Sequence, residues 1–205
     1  MRLDLSLYLV TDSASERAVR VATAAARGGA SVVQLRDKGI SDAVFVERGR
    51  ALRAALAPLG VPLVVNDRVE AALAIGADGV HVGQSDVSAA RVRAALGPEK
   101  LVGLSIETTD QLEGLDRDAV DYIGAGPVFA TATKPDHAPP IGMDGLAAIC
   151  RGAPCPAVAI GGLSLAHVAA VKVAGAAGIA VVSAIASAPD PEAAARDLAH
   201  AWRTA

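Results

Sequence analysis

Aromatic residues are nearly absent from this chain of 205 residues, which contains two Tyr, two Phe and one Trp. The core must therefore be built from Ala, Val, Leu and Ile, and Ala alone occupies 46 positions. Small side chains allow helices to pack close to a sheet, which favours layered α/β packing over an all-β sandwich. A hydrophobic fraction of 52% and a charged fraction of 20% exclude an intrinsically disordered chain.

Cysteine, long apolar runs and an excess of basic charge are also lacking. Cys150 and Cys155 form no C-x-x-C pair and have no metal-ligand spacing with the four histidines, so we expect buried, reduced thiols. No uncharged apolar run reaches the roughly 18 residues of a membrane-spanning helix, and residues 1–6 lack the features of a signal peptide. We therefore expect a cytoplasmic protein without a membrane partner. A net charge of −3 and no basic stripe argue against nucleic acid as a partner.

Short apolar runs recur along the whole chain, and each is followed by an Ala-rich amphipathic stretch. Near-continuous apolar strands are typical of parallel sheets that are buried on both faces, and strand–helix alternation indicates βαβ units. The predicted strands are 5–10, 31–35, 61–65, 79–82, 101–104, 120–123, 157–160 and 178–182. The predicted helices are 15–28, 42–59, 68–75, 88–96, 109–115, 143–150, 165–173 and 191–201.

Eight such units in series predict a single (β/α)8 TIM barrel that spans residues 1–205 as one domain. An open, doubly wound sheet is the alternative. The barrel is favoured because no glycine-rich dinucleotide turn follows the first strand, where Thr11, Asp12 and Ser13 instead signal the start of a helix. The long segment 124–142 contains four prolines, and long loops in compact domains are usually functional.

Polar residues follow the predicted strands, at the end of a barrel where active sites are built. Gln34, Arg36 and Lys38 alternate along the chain, so on an extended segment their side chains point one way while those of Leu35 and Asp37 point the other. Two cations and an amide that converge on the mouth could bind a multiply charged anion. An ordinary charged surface loop is the alternative.

Asp67 and Asp86 follow neighbouring predicted strands. Two close carboxylates repel each other unless a cation or proton lies between them, and Mg²⁺ is typically held by one or two carboxylates together with substrate oxygens. The alternative is that each aspartate caps the helix that follows it. The spacing alone does not choose between these interpretations.

Three further features lie at predicted strand ends or on the long loop. Gly161 and Gly162 follow the seventh strand, where barrels often bind phosphate, although a tight turn alone would also need glycine. Lys134 lies beside two threonines, either as part of a lid over the mouth or as a solvated loop residue. His81 lies inside an apolar strand, which favours a hydrogen-bonded core residue over a catalytic base.

Taken together and in this order, these segments resemble the thiamine phosphate synthase family. The resemblance extends from LYLVT at 7–11 to AVVSA at 180–184. Its most specific segments are QLRDK at 34–38, ND at 66–67, GVHVGQSD at 79–86, VGLS at 102–105, DYIGAGPVF at 121–129, TATK at 131–134 and AIGG at 159–162.

The resemblance implies a (β/α)8 barrel that joins hydroxymethylpyrimidine diphosphate to hydroxyethylthiazole phosphate, with Mg²⁺, by loss of diphosphate before bond formation. The implied pyrimidine diphosphate site consists of Gln34, Leu35, Arg36, Asp37, Lys38, Asn66, Ser105 and Lys134. Of these, Arg36, Lys38, Ser105 and Lys134 would assist catalysis, and Asp67 and Asp86 would bind Mg²⁺. The implied thiazole phosphate site consists of Thr131, Ala132, Thr133, Gly162, Val182 and Ser183.

One position departs from the family pattern. Many relatives have a histidine two residues after the serine that matches Ser105, and here that residue is Glu107. The related thiazole tautomerases are thought to use this histidine for proton transfer, so its absence argues against a tautomerase. A non-catalytic phosphate binder is the remaining alternative. The expected partners are small phosphorylated substrates, and the resemblance also suggests a homodimer.

Overall fold

Eight short parallel strands close into a barrel in which each strand pairs with the next and β8 pairs with β1. A computed structural model describes residues 3–11, 15–131 and 138–205. The strands are β1 (Leu7–Val10), β2 (Val32–Leu35), β3 (Leu63–Asn66), β4 (Gly79–Val82), β5 (Leu101–Ile106), β6 (Tyr122–Ala125), β7 (Ala157–Ile160) and β8 (Gly178–Val181). The predicted TIM barrel is confirmed, and each predicted strand end lies within two residues of the observed one.

Helices surround this barrel and follow the strands along the chain. Within the described ranges they are α1 (Glu16–Gly28), α2 (Asp42–Leu56), α3 (Val69–Ile75), α4 (Ala89–Leu96), α5 (Gly142–Gly152), α6 (Val168–Val173), α7 (Ser183–Ala186) and α8 (Pro191–Thr204). The Ser15 side chain caps α1 by accepting a hydrogen bond from the amide of Ala18, and Gly29 ends that helix in the left-handed conformation. No helix in the described ranges is long and apolar enough to cross a membrane.

Three helix predictions need correction. The expected helix 42–59 is α-helical only to Leu56 and ends as a 3-10 turn over Ala57–Leu59. The expected helix 109–115 is only a 3-10 turn over Thr109–Leu112, because the chain turns again at Asp116, whose side chain accepts the amide of Asp118. The expected helix 165–173 begins as a 3-10 turn before α6. The four-residue helix α7 was not predicted, because a single turn is too short to show helical periodicity.

Alternate residues along each strand form two separate packing layers. Outward-facing residues such as Leu7, Leu9, Val33 and Leu35 pack with the helices, against small residues that include Ala22 of α1. Inward-facing residues form a second cluster inside the barrel, made of Leu5, Tyr8, Val10, Val32, Val64, Tyr122, Val158 and Ala180. The inward positions nearest the carboxyl ends of the strands are therefore the ones that form the floor and walls of the barrel mouth.

Candidate active site

A cavity of about 570 Å³ opens at the carboxyl ends of the strands. Its walls come from all eight strands or the segments that follow them, as expected for a barrel enzyme. The predicted site residues that line this cavity are Gln34, Arg36, Lys38, Asn66, Asp67, Asp86, Ser105, Thr131, Gly162, Val182 and Ser183. Ala132, Thr133 and Lys134 lie outside the described residues.

The segment after β2 carries two cations to the cavity. Thr11 accepts a hydrogen bond from the amide of Arg36 at 3.1 Å, which ties this segment to the end of β1. Within the described residues, Arg36 forms no ion pair. The ammonium of Lys38 lies 3.4 Å from a carboxylate oxygen of Asp67, and its side chain is 60% exposed. Both cations are therefore positioned to meet an anion in the cavity.

Leu35 and Asp37 do not reach the cavity. Leu35 is buried in the outer core. The Asp37 carboxylate accepts the amide of Gly39 at 2.9 Å, and its carbonyl oxygen accepts a hydrogen bond from Arg68. The alternation of side chains along the strand predicts this arrangement. The family resemblance implied that both residues belong to the pyrimidine diphosphate site, but neither side chain lines the cavity.

Asp67 and Asp86 approach each other at the ends of β3 and β4. Burial raises the pKa of the Asp67 carboxyl, the neighbouring Asp86 carboxyl raises it further, and Lys38 opposes the shift. Neither aspartate caps a helix, because Arg68 and Ser88 occupy the capping positions of α3 and α4. Asp86 instead accepts the amide of Gly83 at 2.8 Å. The pair thus concentrates negative charge that a cation would relieve.

This carboxylate pair suits a hard cation that draws its remaining ligands from elsewhere. Among the described residues, no group of three or more His, Cys, Asp or Glu side chains could hold a metal ion. Mg²⁺ accepts such a site, because it keeps water or substrate oxygens as further ligands.

The opposite wall contains two glycines at the end of β7. Gly161 and Gly162 both have positive φ, at 100° and 64°. A Cβ at Gly162 would lie 2.7 Å from the carbonyl oxygen of Ala130 and 2.8 Å from the Cβ of Phe129. None of the hydrogen bonds between described residues uses the amide N–H of Gly162 or Ser183. Close packing therefore requires glycine here, and these amides remain available to an anion.

Buried polar side chains cross the barrel beneath the cavity. The Gln34 amide donates to the Tyr8 hydroxyl at 2.9 Å, and the Tyr8 and Tyr122 hydroxyls lie 2.8 Å apart. His81 Nδ1 lies 3.1 Å from the Tyr122 hydroxyl, and His81 Nε2 lies 3.0 Å from the Ser105 hydroxyl. Burial lowers the pKa of His81 to about 4, against the opposing charge of Asp86.

His81 is therefore a buried, hydrogen-bonded residue, as its place in an apolar strand predicted, and it also lines the floor of the cavity. The two tyrosines were missed at the sequence level. The signal was present, because Tyr8 and Gln34 lie on neighbouring strands at inward-facing positions.

Comparison with known proteins identifies the family. The family model described as thiamine monophosphate synthase matches residues 7–185. The chain belongs to this family.

Individual relatives agree with this assignment. The chain is 50% identical over 198 residues to the thiamine-phosphate synthase of Xanthobacter autotrophicus, covering 95% of this chain and 94% of the relative. It is 48% identical over 195 residues to the thiamine-phosphate synthase of Roseiflexus sp. (strain RS-1), covering 94% of this chain and 83% of the relative. The thiamine phosphate pyrophosphorylase of Pyrococcus furiosus superposes with a TM-score of 0.88 at 32% identity, covering 98% of this chain and 97% of that chain.

These similarities establish a transferase of thiamine biosynthesis with thiamine-phosphate synthase activity. They favour a synthase over the tautomerase and binder alternatives. Glu107, the position at which the sequence departs from the expected family pattern, lines the cavity. Its amide donates to the Gln111 side chain at 2.7 Å, so the turn after β5 holds its backbone in place.

Proposed function

We propose that this synthase joins 4-amino-2-methyl-5-hydroxymethylpyrimidine diphosphate to hydroxyethylthiazole phosphate, giving thiamine phosphate and diphosphate. The observation that carries the proposal is the division of the cavity into two unlike halves. One half holds Arg36, Lys38 and the Asp67–Asp86 pair, and the other holds the glycine turn at Gly162. A diphosphate with its cation matches the first half, and a phosphate monoester bound by backbone amides matches the second.

Arg36 and Lys38 would bind the diphosphate, with Asn66 and Ser105 contributing neutral polar contacts. Asp67 and Asp86 would hold Mg²⁺, which when bound supplies positive charge to the leaving diphosphate. Lys134, which lies outside the described residues, would add a third cationic side chain. Gly162, Val182 and Ser183 would hold the thiazole phosphate together with Thr131, Ala132 and Thr133.

The reaction that this arrangement favours is dissociative. The carbon–oxygen bond breaks first, and its electron pair leaves on the diphosphate, where Arg36 and Lys38 stabilise the developing charge. The thiazole nitrogen then donates its lone pair to the pyrimidinylmethyl cation and forms the carbon–nitrogen bond. Neither step transfers a proton, which is consistent with a site whose buried histidine is neutral at pH 7. Binding of the remote phosphate would hold the thiazole nitrogen in line.

The test is to incubate the purified protein with both substrates and Mg²⁺ and to measure thiamine phosphate and released diphosphate by mass spectrometry. Equal amounts of the two products are expected. In a parallel reaction, the protein is incubated without the pyrimidine diphosphate and with the double-bond isomer of the thiazole phosphate as the only substrate. Isomerisation without condensation would contradict the proposal and indicate a tautomerase.

A further inference from the structure

Five polar side chains form an unbroken series of hydrogen bonds inside the barrel, from Gln34 through Tyr8, Tyr122 and His81 to Ser105. Gln34 and Ser105, at the two ends, line the cavity. Tyr8 and Tyr122 are at least 98% buried. His81 also lines the cavity. The two tyrosines therefore link cavity-lining groups without lining the cavity themselves.

Once Gln34 donates to Tyr8, only one direction along the series gives every proton an acceptor. Gln34 donates its amide N–H to the Tyr8 oxygen, so the proton of Tyr8 is free to be donated to the oxygen of Tyr122. Tyr122 in turn donates its single proton to Nδ1 of His81. A neutral imidazole that accepts at Nδ1 carries its proton on Nε2. His81 therefore donates to the Ser105 oxygen, and the Ser105 proton is left to point into the cavity.

Two glycines provide the space for this arrangement. A Cβ at Gly103 on β5 would overlap both Nδ1 of His81 and the hydroxyl end of Tyr122. A Cβ at Gly124 on β6 would lie 3.1 Å from Cε1 of His81. Neither glycine has a positive φ, so backbone conformation does not require glycine at these positions. Room for the His81–Tyr122 hydrogen bond is the structural reason for both.

The protonation state of His81 agrees with this direction. A charged imidazole would donate from both nitrogens and would reverse the bond to Tyr122. His81 is 7% exposed and its two ring nitrogens face neutral hydroxyl groups, so burial favours the neutral ring. Among the described residues, no buried side-chain nitrogen or oxygen lacks a hydrogen-bond partner. The capacity that remains in the series lies at its cavity-lining ends, on the Gln34 amide oxygen and the Ser105 hydroxyl.

We propose that Tyr8, Tyr122 and His81 are positioning residues that present Gln34 to the substrate as a hydrogen-bond acceptor and Ser105 as a donor. The remaining amide oxygen of Gln34 would accept from an N–H group, as on an aminopyrimidine. The Ser105 hydroxyl would donate to an anionic diphosphate oxygen. The identity of these ligand groups rests on the proposed function, whereas the direction of the hydrogen bonds does not.

The direct test is the tautomer of His81 in the ligand-free enzyme. Nitrogen NMR of protein labelled with ¹⁵N-histidine distinguishes a protonated from an unprotonated ring nitrogen, and the His81→Gln variant assigns the signal. We expect a neutral ring with the proton on Nε2 at pH 7. A proton on Nδ1, or an even mixture of tautomers, would overturn the proposal even if the enzyme makes thiamine phosphate.

Two conservative variants separate positioning from packing, because each removes one hydroxyl and keeps the ring. Tyr122→Phe removes the donor to Nδ1 of His81, so the ring should become a mixture of its two neutral tautomers. The substitution should also lower kcat, because the hydrogen bond from Ser105 to the diphosphate strengthens as the diphosphate leaves. The expected loss is about tenfold, the size of one weakened hydrogen bond to a charged group. The KM for the pyrimidine diphosphate should change much less.

Tyr8→Phe should preserve the tautomer, because Tyr122 still donates to His81, and should mainly raise the KM for the pyrimidine diphosphate through Gln34. Melting curves confirm that both variants fold. If Tyr122→Phe keeps both the His81 tautomer and kcat, the network is only structural. If the wild-type enzyme shows the expected tautomer but forms no thiamine phosphate, the proposed reaction fails and the hydrogen-bond direction stands.

Discussion

Lys38 and Arg36 both line the cavity but have different charged neighbours. Lys38 is largely exposed and lies beside Asp67, whereas Arg36 has no carboxylate partner among the described residues. A cation between Asp67 and Asp86 would compete with Lys38 for the Asp67 carboxylate. Lys38 would then be released towards the diphosphate, and the carboxylate pair and the basic segment would act on the same ligand.

The first prediction concerns this carboxylate. Asp67→Asn removes one negative charge but keeps a similar shape, so it should lower Mg²⁺-dependent activity by about 10²-fold or more, roughly 3 kcal/mol of transition-state stabilisation. Initial rates at limiting and saturating Mg²⁺ measure the effect. Asp197→Asn, at an exposed position on α8, is the matched control and should be neutral. Full activity of Asp67→Asn at limiting Mg²⁺ would rule out the role.

At the scale of elements, Arg68 holds the segment after β2. Its guanidinium donates to the carbonyl oxygens of Asp37 and Ile40, both at 3.0 Å, and pairs with Asp42 at 2.8 Å. It also lies over the ring of Phe45, 4.6 Å from its centre. One side chain at the start of α3 thus fastens the segment that carries Lys38 to the first turns of α2.

The second prediction follows from these contacts. Arg68→Met keeps the apolar stem over Phe45 but removes the donors, so the segment carrying Lys38 should lose its fixed position. The KM for the pyrimidine diphosphate should rise by about tenfold, while the KM for the thiazole phosphate stays the same. Arg50→Met is the control, because Arg50 also donates to a carbonyl oxygen, that of Ala74 in α3, but not to the segment that carries Lys38. Equal effects of the two substitutions on KM would contradict this role.

The third prediction concerns the glycine turn after β7. A side chain at Gly162 would meet the carbonyl oxygen of Ala130 and the Cβ of Phe129, in the segment after β6. Gly162→Ala should therefore destabilise the fold by about 2 kcal/mol or more, combining left-handed backbone strain with the clash. Gly60→Ala is the control, because Gly60 has a similar φ of 67° and nothing within 4 Å of its Cβ position. Chemical denaturation of both variants checks the difference, and equal losses would show that the clash is absent.

At the scale of the whole molecule, the sequence predicted the barrel and the polar residues that meet at its mouth. The period of two along each apolar run was enough to separate Gln34, Arg36 and Lys38 from Leu35 and Asp37. Strand order placed Asp67 beside Asp86. Both are local patterns that a closed parallel sheet converts into proximity.

The interior of the barrel was harder to predict, because it depends on the register between strands far apart in sequence. Tyr8 and Tyr122 are 114 residues apart but share a hydrogen bond. Gly103 lies inside a strand and not at a turn, so the sequence gives no reason for a glycine there. The structure gives one, because Gly103 makes room for side chains on the two neighbouring strands. Such contacts follow from the stagger of the closed sheet, which no single segment encodes.

The last prediction links the buried histidine to the stability of the entire fold. Burial lowers the pKa of His81 from 6.5 to about 4, so between these values the unfolded chain binds a proton that the folded protein does not. The contribution of His81 to stability is therefore complete above pH 6.5 and is lost as the pH falls towards 4. Between pH 7.5 and pH 4.5, this loss amounts to about 2 to 3 kcal/mol in the free energy of unfolding.

Asp86, the charged group that acts on His81, opposes this effect only in part. Asp67, with its raised pKa, contributes in the opposite direction, because protonation favours the folded state there. The His81→Gln variant lacks the titrating ring but keeps the carboxyl groups. The difference between wild type and variant therefore isolates the contribution of His81 to the pH dependence of stability. Urea denaturation of the metal-free protein at both pH values should show wild type losing about 2 to 3 kcal/mol more than the variant on acidification. An equal loss in both proteins would mean that His81 titrates normally and that the interior of the barrel admits its charged form.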